Sequence, residues 1–142
     1  MSSTEEITIR LKKLKEYLSI VKKIRDTGTR GDIKKDPVLR GALERYLQLI
    51  AEASIDIGEI IIADLELRTP QFNRDVFVIL SEKKIVKKDL ANRLGAMAQF
   101  RNILVHDYVE VDLDKVFAYL NTDLRDVDEF ITVIARFIKK HE

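Results

Sequence analysis

Apolar residues recur every three or four positions along almost the whole of this 142-residue chain, with only five glycines and two prolines to interrupt them. That interval stacks side chains on one face of an α-helix, whereas a half-buried strand needs strict alternation. Gly and Pro, the residues of tight turns, fall well below the roughly 12% of average usage, which argues against a multi-stranded sheet. What remains is an all-α chain. Hydrophobic residues make up 46% and charged residues 35%, enough for a core under a charged exterior and incompatible with a disordered polypeptide.

The helices can be placed one by one. Ser3 and Glu6 have capping-box spacing and precede Ile7, Leu11, Leu14, Leu18 and Val21, a first helix of about five turns. Gly28, Gly31 and Pro37 punctuate a polar stretch from Gly28 to Asp36 that reads as a loop. It is not a phosphate-binding P-loop, because no strand precedes it and no Gly-Lys-Ser/Thr follows. From Val38 to about Leu67, the series Leu39, Leu43, Tyr46, Ile50, Ala53 and Ile57 predicts a helix of about 45 Å. Thr69-Pro70 marks a stop and restart. A short helix with Val76, Phe77 and Leu80 follows, and then one from Lys87 to His106 with Leu90, Leu94, Met97 and Leu104 inward. Asp112 and Thr122 are candidate N-caps for the last segments, which turn Val116, Tyr119 or Leu120, Val127, Phe130, Ile134 and Phe137 to the core.

Four to five helices with short connections predict an antiparallel up-and-down bundle. No repeat or shift of composition divides residues 1–142, so a single helical domain is expected. Ala51, Ser54, Gly58 and Ala63 in the long second helix, and Gly95, Ala96 and Ala98 in the helix ending at His106, permit close helix approach within the bundle or between subunits.

Cysteine is absent, which removes disulfides, thiol nucleophiles and thiolate metal sites. The first residues carry Glu5 and Glu6 and no apolar stretch of a secretory signal, and no apolar run approaches a membrane span, so the expected location is cytoplasmic with no membrane partner. The net charge of +1 conceals blocks of alternating sign: basic over residues 1–40 and 68–101, acidic over 44–66 and 107–129. Such blocks fit neighbouring antiparallel helices that attract one another, or a local basic surface leading into residue 101.

One segment, Gln99-Phe100-Arg101-Asn102-Ile103-Leu104-Val105-His106-Asp107-Tyr108, breaks the apolar pattern. Continuing Leu90, Leu94 and Met97 by four puts Arg101 where an apolar residue is due, and a guanidinium there is costly unless paired or set in a polar cleft. His106 shares a helix face with Asn102 but lies about 140° round an ideal helix from Arg101, so arginine and histidine converge only across a shared groove or at a loosened helix end. His106 and the tail residue His141 are the only histidines. A lone histidine at a helix end commonly caps or faces solvent. In this company it can also exchange a proton at a ribose 2′-hydroxyl or a leaving oxygen, while arginine suits a charged phosphorane and the Asn102 amide orients substrate.

Arg101-Asn102-x-x-x-His106-x-Tyr108 resembles the R-x4-H-x-Y motif of the HEPN superfamily, in particular its HepT-like toxins. Leu49-Ile50-Ala51-Glu52-Ala53-Ser54-Ile55-Asp56-Ile57 resembles the second helix of that family, and Phe100 to Val111 with Asp112 resembles its motif region and the helix start beyond. The resemblance implies a homodimeric endoribonuclease whose two copies of Arg101 and His106 line one cleft. It implies cleavage without a metal or other cofactor, leaving a 2′,3′-cyclic phosphate and a 5′-hydroxyl. His106 would be the acid/base group, Arg101 would bind and stabilise phosphate, and Asn102 would assist. The implied partner is a minimal nucleotidyltransferase antitoxin that silences the toxin by AMPylation of Tyr108, adding bulk and negative charge beside the cleft. The rival expectation is a non-catalytic helical subunit that docks a nucleotidyltransferase and helps to bind nucleotide or substrate.

Three further features keep two readings each. Glu52, Asp56 and Glu59 share a helix face and form either a metal-binding set, without the Glu-x-x-His pairs of carboxylate bundles, or a face salt-bridged to neighbouring helices. Lys83-Lys84 and Lys87-Lys88 are either plainly exposed or a phosphate-tracking patch, with Lys87 and Lys88 as accessory RNA-binding residues. Phe100 either stacks on a base or packs in the core.

Overall fold

The computed structural model describes residues 1–28, 30–106 and 113–141, and among these it forms six helices. They are α1 (Ser3–Thr27), α2 (Arg30–Lys35), α3 (Pro37–Asp64), α4 (Asn73–Glu82), α5 (Lys88–His106) and α6 (Leu113–Lys140). Side chains are described for these residues apart from 30, 103–106, 113, 119 and 121.

The helix starts follow local chemistry. Ser2, one residue before the expected Ser3, caps α1, its side chain accepting from the Glu5 N–H at 3.1 Å, with Glu5 and Glu6 in the first turn. Asp36 caps α3 through Oδ1, which accepts from the N–H groups of Val38 (3.0 Å) and Leu39 (3.3 Å), and Pro37 takes the first helical position. Asp75 secures the entry to α4 by accepting from the Phe72 N–H at 3.0 Å.

Two expectations need correction. The stretch from Gly28 to Asp36 is not all loop: it holds α2, because Ile33 is buried to 1% exposure and anchors that turn against the core. Thr122 caps nothing. It lies inside the continuous α6, and its hydroxyl donates to the Ala118 carbonyl one turn back. Asp112 lies outside the described residues.

Four long helices close a ring, α1 against α3, α3 against α5, α5 against α6 and α6 against α1, while α4 packs on α3 and α5. The expected inward residues fill it: Leu14, Val21, Leu43, Ile57, Leu94, Val116, Phe130 and Ile134 are buried, with Phe77 of α4 meeting Phe130 edge to face. Of the small residues, Gly58 matters most, because any Cβ there would collide with the Val76 side chain of α4. Phe100 is core, 4% exposed. No helix among the described residues is long and apolar enough to cross a membrane.

Among the described residues, two that are not glycine adopt left-handed backbone, Glu66 (φ 53°) and Lys84 (φ 58°). Each closes a helix in the same way. The Leu67 N–H reaches back to the Ile62 carbonyl (2.9 Å) after α3, and the Ile85 N–H reaches the Leu80 carbonyl (3.0 Å) after α4. The two reversals set Leu67 and Ile85 half-buried at one end of the bundle.

Candidate active site

Arg101 occupies the inner side of α5, as its position in the apolar series requires, and its charge is met from α3. Nη2 donates to Glu52 Oε1 at 2.9 Å, and Gln48 Nε2 donates to the same oxygen at 3.0 Å. Nη1 lies 3.4 Å from Asn102 Oδ1. Only 24% of the Arg101 side chain and 31% of that of Glu52 are exposed, so the pair is partly desolvated and strengthened accordingly. Burial alone would push the Glu52 carboxyl up. Hydrogen bonds from Gln48 and Arg101, with the charges of Arg101 and Arg45, more than offset that and hold it below the usual carboxylate value.

The rest of the acidic face of α3 behaves differently. Burial raises the Asp56 carboxyl, Arg10 opposes it and Glu52 adds to it; burial and then Asp56 raise Glu59. The face is therefore divided, one member salt-bridged and two left with weakened acidity. Among the described residues no three His, Cys, Asp or Glu side chains are grouped as metal ligands.

A small enclosed space separates α3, α5 and α6, bordered by Ile50, Ala51, Phe100, Arg101, Asp123 and Val127. The Arg101 Nε–H is buried with no hydrogen-bond partner among the described residues, a donor that native interiors seldom leave unused. Asp123, on the opposite wall, is pushed up to about 7 by burial and then by the charge of Asp126. Asp126 is itself buried and accepts from Arg93 Nε at 2.9 Å. Sequence reasoning passed over Asp123, although it falls between Leu120 and Val127 at the spacing of the inner stripe, the same signal that singled out Arg101.

Of the other sequence-derived site residues, Asn102 is exposed beside Arg101. The backbone of α5 stays helical to His106, so positions 101 and 106 remain about 140° apart around the helix. The side chain of His106 and the whole of Tyr108 lie outside what is described. Lys87 and Lys88 are not brought to Arg101: they stand at the start of α5, about 20 Å away along the axis at 1.5 Å per residue. Chemically, the site offers a guanidinium oriented by Glu52, only partly committed and partly exposed to solvent.

Comparison with known proteins bears on this arrangement. The family described as ribonuclease HepT-like matches residues 14–134. An mRNA nuclease HepT of Shewanella oneidensis is 36% identical over 107 residues, covering 75% of this chain and 80% of the relative. A tRNA nuclease HepT of Aphanizomenon flos-aquae is 30% identical over 95 residues, covering 67% of this chain and 65% of the relative. Among solved structures, the tri-AMPylated HEPN toxin of Shewanella oneidensis in complex with an MNT antitoxin superimposes with a TM-score of 0.84 at 31% identity, covering 96% of this chain and 99% of that one. With the match running through all four helices of the ring, Arg101 and Glu52 included, this chain belongs to the ribonuclease HepT-like family.

Proposed function

We propose that the chain is the endoribonuclease toxin of a toxin–antitoxin pair, that it cleaves RNA without a metal ion, and that its activity is silenced by AMPylation of Tyr108. The observation that carries this reading is Arg101. A guanidinium interrupts the apolar face of α5 and is retained there by a carboxylate from α3, which leaves the second N–H of each terminal nitrogen for a phosphate. The HepT nucleases and the AMPylated toxin in complex with its antitoxin supply the rest of the support.

In the reaction, His106 takes the proton of the ribose 2′-hydroxyl. The 2′-oxygen bonds to phosphorus, the bond from phosphorus to the 5′-oxygen breaks, and a protonated histidine delivers a proton to that leaving oxygen. The products are a 2′,3′-cyclic phosphate and a 5′-hydroxyl. Arg101 holds the non-bridging oxygens and stabilises the charge that grows on them. Because an unbroken α5 keeps positions 101 and 106 on different faces, the reaction centre draws on two chains, and a homodimer is its working form.

Purified protein incubated with cellular RNA in EDTA cleaves it, and the His106→Ala variant does not. Supplying the nucleotidyltransferase partner with ATP adds AMP to Tyr108 and stops cleavage. Equal cleavage by the variant, or none by unmodified protein that still forms a complex with the partner, overturns this in favour of a non-catalytic docking subunit.

A further inference from the structure

At the far end of the bundle from Arg101 lies a large open groove between the turn joining α4 to α5 and the C-terminal part of α6. Its floor is apolar, with Leu67 and Ile85 presented by the two left-handed helix ends and Val133 and Phe137 by α6. Its rim carries Lys83, Lys84, Lys87, Arg136 and Lys140, all exposed and none in an ion pair with a described residue. The two acids that border it are engaged from outside: Asp128 by Lys22 of α1 at 2.7 Å and Glu129 by Arg93 of α5 at 3.7 Å. The groove is therefore bordered by five cations against two acids, both already paired with cations outside it. Phe137 and His141 stack there, ring centroids 4.1 Å apart.

Cations with no ion-pair partner among the described residues, set along an apolar channel with a stacked aromatic pair, are the ingredients of a single-strand nucleic-acid surface, in which lysines follow phosphates and rings take base faces. We propose that this groove is a second RNA contact, holding single-stranded RNA some distance from the scissile bond; it rests on the ribonuclease reading above. Two helices set the separation independently. Lys87 precedes Arg101 by fourteen residues, and Arg136 follows Asp123, which borders the Arg101 space, by thirteen, each about 20 Å at 1.5 Å per residue. RNA engaged at both places is gripped across several nucleotides, which favours extended substrates over short ones. The same grip reconciles a near-neutral chain with RNA chemistry.

The test uses full-length chain carrying His106→Ala, so that RNA is bound and not consumed. Binding of a fluorescein-labelled twenty-nucleotide oligouridylate is followed by anisotropy over a range of NaCl concentrations, with and without Lys83→Gln, Lys84→Gln, Arg136→Gln and Lys140→Gln together. The groove variant is expected to bind at least tenfold more weakly near 0.1 M salt, and its slope of log affinity against log salt should fall by nearly 3, at about 0.7 per lost phosphate contact. Lys83→Arg, Lys84→Arg and Lys140→Arg together retain the parent affinity and slope. Unchanged affinity and slope in the glutamine variant overturn the proposal. So does normal RNA binding combined with loss of the complex with the nucleotidyltransferase, which would make the surface a protein-docking site. Since the readout is binding, an absence of cleavage by wild-type chain counts against the ribonuclease reading alone.

Discussion

Glu52 is the residue on which the behaviour of Arg101 turns. It fixes the guanidinium from a different helix and keeps a half-buried cation from being unpaired. Glu52→Gln should therefore cost about 1–3 kcal/mol in urea unfolding near neutral pH and lower RNA cleavage about tenfold through loss of orientation. The Glu52 carboxyl is held below its ordinary value in the folded state, so its contribution is complete above about pH 4.5 and is lost as pH falls through the folded value. The deficit of the variant should shrink in acid accordingly. Asp123 has the opposite sign. Its folded value of about 7 lies above the ordinary 3.8, so the folded state binds the proton more tightly and is penalised progressively as pH rises between the two. Asp123→Asn should raise stability by roughly 1–2 kcal/mol near pH 8, allowing for solvent screening of a partly exposed group, and leave it unchanged near pH 3.5. Thermal melts at both pH values check this; equal gains at the two would remove the assignment.

Among the elements, α3 and α4 meet at their closest where Gly58 faces Val76. Val76 is fully buried and its branched side chain is stiff, so Gly58→Ala should cost about 1–3 kcal/mol by overpacking. Glu66, by contrast, stands in left-handed backbone at the end of α3, and Glu66→Gly should stabilise by roughly 1 kcal/mol by relieving it; chemical unfolding reads both. The long helices were legible because the interval that specifies a helix also specifies its buried face: Leu11, Leu14, Leu18 and Val21 satisfy both at once. Helix α2 was not, because a single Ile33 between Gly31 and two lysines carries no period, and its burial is supplied by helices distant in sequence. The site divides in the same way. Arg101 stood out as a polar residue on an apolar stripe, while its partner, 49 positions earlier, is defined only once α3 and α5 pack together.

At the scale of the molecule, the alternating charge blocks turn out to face one another. Lys22 of the first basic block pairs with Asp128, Lys34 with Asp114, Glu52 with Arg101 and Arg93 with Asp126. The exposed members of this set contribute at most about 1 kcal/mol each, and their larger effect is on where charge is left over. Many of the acids pair across neighbouring helices, and cations without an ion-pair partner among the described residues gather at one end. A sum of +1 thus conceals a molecule with a guanidinium site near one end of α5 and a cationic groove at the other. Metal-independent attack by the ribose 2′-hydroxyl is tested with one RNA oligonucleotide prepared with ribose, and again with a single 2′-deoxyribose, at the mapped cleavage position, each incubated with the purified chain in EDTA and analysed by mass spectrometry. Fragments ending in a 2′,3′-cyclic phosphate and a 5′-hydroxyl are expected from the all-ribose strand, and no cleavage at that position in the deoxy strand. Cleavage of the deoxy strand there, or products with a 5′-phosphate, would contradict it.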